Sequence, residues 1–130
     1  MSETATQNAQ PQQEERGFFQ HTGHVQLAWL YLRKHSLLDA LAQVSEALRM
    51  FAAANNAPHL YNETLTWAYM LLINERMIRL GPAHEWEEFA ASNPDLFDWK
   101  NSIVKKLYRE ETLNSDLAKR VFIMPDLPRG

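Results

Sequence analysis

Residues 62–82, NETLTWAYMLLINERMIRLGP, carry the clearest helical signal in the chain. The run LTWAYMLLI is apolar almost all round a helix, which is typical of a buried helix. Asn62 is a suitable N-cap, and Gly81 followed by Pro82 is a common way for a helix to end. We therefore predict the central, most buried helix of the protein over residues 63–80.

Helical periodicity continues on both sides of this segment, and no stretch shows the sustained alternation of a strand. Upstream, the pattern predicts a first helix over residues 22–35. Ser36, with Asp39 three residues later, can cap a second helix, which Pro58 brings to an end. The prediction is an all-α fold, an antiparallel (up-down) bundle of four to six helices. Downstream helices are predicted over residues 84–91, from Pro94 to about Leu107, and over residues 115–122.

The 130-residue chain fits a single domain. Residues 1–16 contain no large apolar side chain after Met1, so burial cannot offset the entropy of ordering them. We predict a flexible tail over residues 1–16, one helical bundle domain over residues 17–124, and a C-terminal tail over residues 125–130.

The composition excludes several kinds of site and partner. The chain has no cysteine, which removes disulfides and thiolate metal ligands and agrees with a cytoplasmic location. A net charge of −3 gives no field that would attract nucleic acid or anionic lipid. The longest apolar run is about half of the ~20 residues that span a bilayer. With four glycines and no glycine-rich phosphate loop, no nucleotide cofactor is expected.

Two histidines near the start of the first predicted helix point to a metal site. In an up-down-up bundle, the N-termini of the first and third helices lie at the same end, so His21 and His24 would meet Glu63. Residues three apart share a helix face, and a helix N-terminus disfavours the imidazolium form. Two imidazoles and one carboxylate suit Zn²⁺, Fe(II) or Mn²⁺, with open positions for water or a small-molecule substrate.

Other polar residues are predicted near the same end of the bundle. His59, in the loop before the third helix, is a candidate further ligand. Tyr61 and Tyr108 are candidate catalytic proton donors or partners of the ligands, as is Glu111. The alternative is that all of them are ordinary polar residues, because histidines at helix starts often only satisfy free backbone groups.

Three segments resemble a family of small bacterial all-helical proteins of uncharacterised function. The segments are residues 19–32, 60–73 and 111–127, and the shared pattern is FxHxxH followed by AWxYL, then Y[HN]ET and a terminal PDL. The resemblance implies a histidine where this chain has Asn62. If that histidine is a metal ligand in the family, the resemblance implies that this protein binds metal less well, uses His59 instead, or has lost the activity.

The sequence thus leaves three functions open, and it does not establish whether the protein is an enzyme. The first is a small metal-dependent enzyme or metal-binding protein whose reaction is unknown. The second is a non-catalytic interaction module or homodimer, because four Trp, four Tyr and six Phe are many for one small core. The third is a carrier of a small apolar ligand between the helices.

Overall fold

A computed structural model describes the backbone of residues 9–127 and the side chains of residues 20–127. This part of the chain is all-α, with six α-helices, three short 3₁₀ turns and no strand. None of these helices is long and apolar enough to cross a membrane. The helices are α1 (Ala9–Lys34), α2 (Leu37–Ala54), α3 (Glu63–Leu80), α4 (Trp86–Ser92), α5 (Glu110–Leu113) and α6 (Asp116–Arg120), and the 3₁₀ turns are Pro58–Leu60, Pro94–Phe97 and Ile103–Lys106.

The predicted up-down bundle is confirmed, and α3 is its central helix, in contact with α1, α2 and α6. Its ends are those the sequence predicts. The Asn62 side chain accepts a hydrogen bond from the backbone N–H of Leu65 at 2.9 Å, and so caps the first turn. At the other end, Gly81 adopts a φ of 102°, a conformation that costs glycine little because it has no Cβ.

The main core lies between α1, α2 and α3, which pack against one another in pairs. Each helix buries a stripe of apolar side chains spaced three or four residues apart, as an amphipathic helix must. The buried members are Val25, Ala28 and Trp29 on α1, Ala40, Leu41 and Val44 on α2, Met70, Ile73 and Met77 on α3, and Phe89 and Leu96 from the following segment.

The first helix is longer than predicted. It begins at Ala9 and not near Thr22, so His21 and His24 lie well inside α1. The predicted flexible tail falls partly on residues 1–8, which lie outside the described residues. The other residues of that segment are helical.

The predicted helix from Pro94 to about Leu107 is wrong. The segment forms two 3₁₀ turns, Pro94–Phe97 and Ile103–Lys106. Between them Asp98 accepts a hydrogen bond from the backbone N–H of Asn101, and Ser102 accepts one from Val104. These side chains offer the backbone partners within two or three residues, which compete with the partner four residues away that an α-helix needs.

The C-terminal segment is fastened to the start of α3. The hydroxyl of Thr64 donates to the carbonyl of Val121 at 2.7 Å and accepts from the N–H of Ile123 at 3.1 Å. Asn62 donates to the carbonyl of Leu113 at 2.8 Å. The residues of the YNET motif therefore hold the chain end against the bundle.

Asp126, from the PDL motif, caps the start of α5, although it lies 17 residues after Arg109 in the sequence. Its carboxylate accepts hydrogen bonds from the backbone N–H of Arg109, at 2.8 Å, and from the hydroxyl of Thr112. These two bonds hold the pKa of Asp126 below its ordinary value. Residues 128–130 of the predicted C-terminal tail lie outside the described residues.

Candidate functional site

A cavity of about 460 Å³ opens among α1, α2, α3 and the Pro58–Leu60 turn. Its volume lies within the range of small-molecule sites, about 300–1,000 Å³. The inner wall is formed by fully buried apolar side chains: Val25, Ala28, Val44, Met70 and Ile73. The remaining described lining residues are Gln20, His21, His24, Leu48, Phe51, Ala52, Asn55, Ala57, Leu60, Tyr61, Asn62, Leu65, Thr66 and Tyr69.

The cavity carries no formal charge on its described lining, since none of these residues is Asp, Glu, Lys or Arg. Its polar groups are hydroxyls, amides and two imidazoles. Moving a charged group from water into such surroundings is costly unless the site supplies a partner for it. The lining therefore favours an uncharged occupant.

His21 lies on the cavity wall in a fixed orientation. Its Nε2 is 2.7 Å from the carbonyl oxygen of Leu96, and its ring meets the ring of Tyr69 edge-on, with centroids 5.0 Å apart. Burial lowers the pKa of His21, and the hydrogen bond to Leu96 opposes part of this effect. Burial and not the helix N-terminus lowers the pKa, because α1 begins more than two turns earlier and the helix dipole acts within the first turn.

His24 lies one turn further along the same helix. Its ring contacts Phe51 of α2 edge-on, with centroids 5.6 Å apart. Burial lowers its pKa, and the neighbouring imidazole of His21 lowers it further. The structure thus brings both predicted histidines to one cavity and favours the neutral form of each.

Tyr61 lines the cavity and separates it from a charged pair outside. Its hydroxyl donates to the carboxylate of Glu63, and the guanidinium of Arg49 lies 5.2 Å from the centre of its ring. Arg49 also forms an ion pair with Glu63 at 3.4 Å. Burial raises the pKa of Tyr61, and the bond to Glu63 raises it further.

Glu63, the predicted carboxylate ligand, does not line the cavity with the histidines. Its bonds to Tyr61 and Arg49 hold it on the side of α3 that faces α2. Among residues 20–127 no group of three or more histidine, aspartate and glutamate side chains is placed to hold a metal ion. A metal held by His21 and His24 stays a prediction, and its further ligands would not be histidine, aspartate or glutamate side chains of residues 20–127.

The other predicted site residues lie elsewhere. His59 is exposed on the Pro58–Leu60 turn. Tyr108 is buried in a second apolar cluster with Val104 and Leu113, and its hydroxyl donates to the carbonyl of Ile123 at 2.6 Å. Glu111 is exposed at the start of α5. Tyr108 and Glu111 are not among the residues that line the cavity.

His84 has a structural place at the other end of the bundle. The indole N–H of Trp29 donates to its Nε2 at 2.9 Å, and its Nδ1 is 2.6 Å from the carbonyl oxygen of Gly81. Because an indole N–H only donates and a carbonyl only accepts, Nδ1 carries the proton of this imidazole. Both ring nitrogens are therefore satisfied within the protein.

The contribution of α2 to the cavity is not predicted from the sequence. The apolar spacing of α2 predicts that Phe51 is a core residue. In the structure it lines the cavity and is 43% exposed. The signal for the cavity lies in small side chains: Ala28 on α1 and Ala52 on α2 both line it. Alanines on facing helices leave volume that larger side chains would fill.

Comparison with known proteins adds no relationship to this geometry. No family model, no curated protein and no solved structure matches this chain. The resemblance to a family of small helical proteins therefore stays a prediction.

Proposed function

We propose that this protein binds a small, uncharged and largely apolar molecule in the cavity among α1, α2 and α3. The observation that carries the proposal is a cavity of about 460 Å³ with buried apolar walls and a described lining free of formal charge. That volume equals roughly 15 water molecules of ~30 Å³ each, so it suits a ligand of about 10 to 20 non-hydrogen atoms. Apolar sites with a few convergent polar groups are the usual form of small-molecule sites.

Two adjacent alanines on α2 give a matched test. Ala52 lines the cavity, whereas its neighbour Ala53 is exposed and is not a lining residue. The probe is the neutral dye N-phenyl-1-naphthylamine, whose fluorescence rises in apolar surroundings. We expect saturable binding at one site per chain to the wild type and to Ala53→Trp. Ala52→Trp is expected to weaken binding at least tenfold, because an indole would occupy the cavity.

Melting curves of both variants establish that each one folds. Equal dye binding by Ala52→Trp and Ala53→Trp would contradict the proposal, as would a wild type that shows no saturable binding.

A second candidate is the metal-dependent function predicted from the sequence. It is supported by the presence of His21 and His24 on one cavity, each with a lowered pKa. Neutral imidazole is the ligand form, and water or a substrate would supply the further ligands. Elemental analysis of protein purified without chelator tests it. Stoichiometric zinc, iron or manganese that is lost in His24→Ala would support a metal site, and metal content unchanged by that substitution would exclude it.

A further inference from the structure

Several polar groups on the described lining of the cavity are hydrogen-bonded within the protein. Three of them donate their only hydrogen to oxygen atoms of the protein itself. Tyr61 donates to the carboxylate of Glu63, and Thr66 donates to the carbonyl of Asn62 at 2.9 Å. His21 is the third.

The proton of His21 can be placed from its partner. Its Nε2 faces the carbonyl oxygen of Leu96, and a carbonyl oxygen only accepts, so Nε2 carries the hydrogen. In the neutral ring, Nδ1 then carries only a lone pair. Burial, which lowers the pKa of His21, favours this neutral form.

Two of the three amides of the described lining also donate within the protein. Asn62 donates from its Nδ2 to Leu113, and Asn55 donates from its Nδ2 to Phe51 at 2.8 Å. The oxygen of Asn62 is already used as the cap of α3. The hydroxyls of Tyr61 and Thr66 and the ring of His21 therefore have no hydrogen left to donate and can only accept.

We propose that the ligand is a neutral hydrogen-bond donor, an alcohol or a phenol, whose O–H is received by a lone pair of His21 Nδ1 or of Tyr61. This inference rests on the proposed function, because it names the class of molecule that the same cavity takes. An ether of the same shape leaves those lone pairs unmatched. A carboxylate would bring a full negative charge and no donor to an uncharged site.

The test compares three molecules that differ in one group: 4-propylphenol, 4-propylanisole and 4-propylbenzoate, each used to displace N-phenyl-1-naphthylamine. We expect the phenol to bind about tenfold more tightly than the ether, as the loss of one hydrogen bond implies, and the benzoate to bind least well. The decisive quantity is the ratio of the phenol and ether dissociation constants.

Two variants locate the acceptors. His21→Phe and Tyr61→Phe each remove one, and the phenol-to-ether preference is expected to fall severalfold in at least one of them. His59→Phe is the matched control, because His59 is exposed on the adjacent turn and does not line the cavity. It should leave the preference unchanged.

The outcomes separate the two proposals. If the dye binds but the ether equals the phenol, the donor inference is overturned and the apolar cavity stands. A phenol preference that survives in both variants would overturn the assignment of the acceptors. If neither the dye nor any of the three molecules binds, the proposed function fails and the inference fails with it.

Discussion

The two hydrogen bonds of the Thr64 hydroxyl give a prediction about stability whose size follows from the structure. Thr64 is fully buried, and its hydroxyl joins α3 to the chain end by two hydrogen bonds, to Val121 and from Ile123. Thr64→Val keeps the shape and the branched Cβ but removes both bonds. A buried polar group without a partner costs about 1–3 kcal/mol. Val121 lies at the surface, where water can replace the lost bond to its carbonyl. We therefore expect the free energy of unfolding to fall by about 2–4 kcal/mol in total.

Thr66→Val is the matched control on the same helix. Thr66 is also buried, but its hydroxyl donates to the carbonyl of Asn62, which already receives the backbone N–H of Thr66. Removing this hydroxyl leaves no group unpaired, so the cost is expected to stay below about 1 kcal/mol.

Thermal and urea unfolding measure the difference between the two variants. For a domain of this size, Thr64→Val should lower Tm by roughly 6–15 °C, and Thr66→Val by only a few degrees. Hydrogen exchange adds a local measurement, because the amide of Ile123 loses its acceptor in Thr64→Val alone. Equal losses in the two variants, or unchanged exchange at Ile123, would refute this account of the chain end.

Three further predictions follow from single contacts. His24 has a pKa below 6.5 in the folded protein, so the unfolded chain takes up its proton first as the pH falls, and stability should decline below about pH 6.5. Solvent screening keeps the slope well under the limit of about 1.4 kcal/mol per pH unit for one proton, and urea titrations should show a shallower slope for His24→Gln. Trp29→Phe should lower the free energy of unfolding, measured by chemical denaturation, by about 1–3 kcal/mol, because buried His84 loses its hydrogen-bond donor. An unchanged free energy of unfolding would contradict a structural role for that bond. Asp126→Ala should lower Tm more than Asp116→Ala, because Asp126 caps α5 whereas Asp116 forms an exposed ion pair with Arg120; equal melting temperatures would contradict the cap.

The helix ends show how much of the fold could be predicted. Ser36, Asn62 and Gly81 end or begin helices where their chemistry predicts, because each cap acts on backbone groups within four residues. The segment after Pro94 was predicted as a helix because its apolar spacing is helical. Its polar side chains accept hydrogen bonds from nearby backbone N–H groups, which an α-helix would need for itself. The spacing of apolar residues carries no information about these bonds.

The candidate site was predicted in part. That His21 and His24 belong to one end of the bundle follows from short connections between antiparallel helices. The position of Glu63 outside the cavity could not be predicted in this way. Its partner Arg49 lies on α2, and the ion pair depends on how the two helices pack.

The sequence by itself determined an all-helical chain, the ends of α2 and α3 and the absence of cysteine, because these depend on composition and on neighbours along the chain. Only the tertiary structure decided that His21 and His24 line a cavity whose described lining has no charged residue, and which ring nitrogen of His21 carries its proton. The bond that orients His21 joins it to Leu96, 75 residues away, and a contact of that range exists only after the helices have packed. Burial, which sets the ionisation of both imidazoles, is likewise a property of the packed bundle and not of any short stretch of sequence.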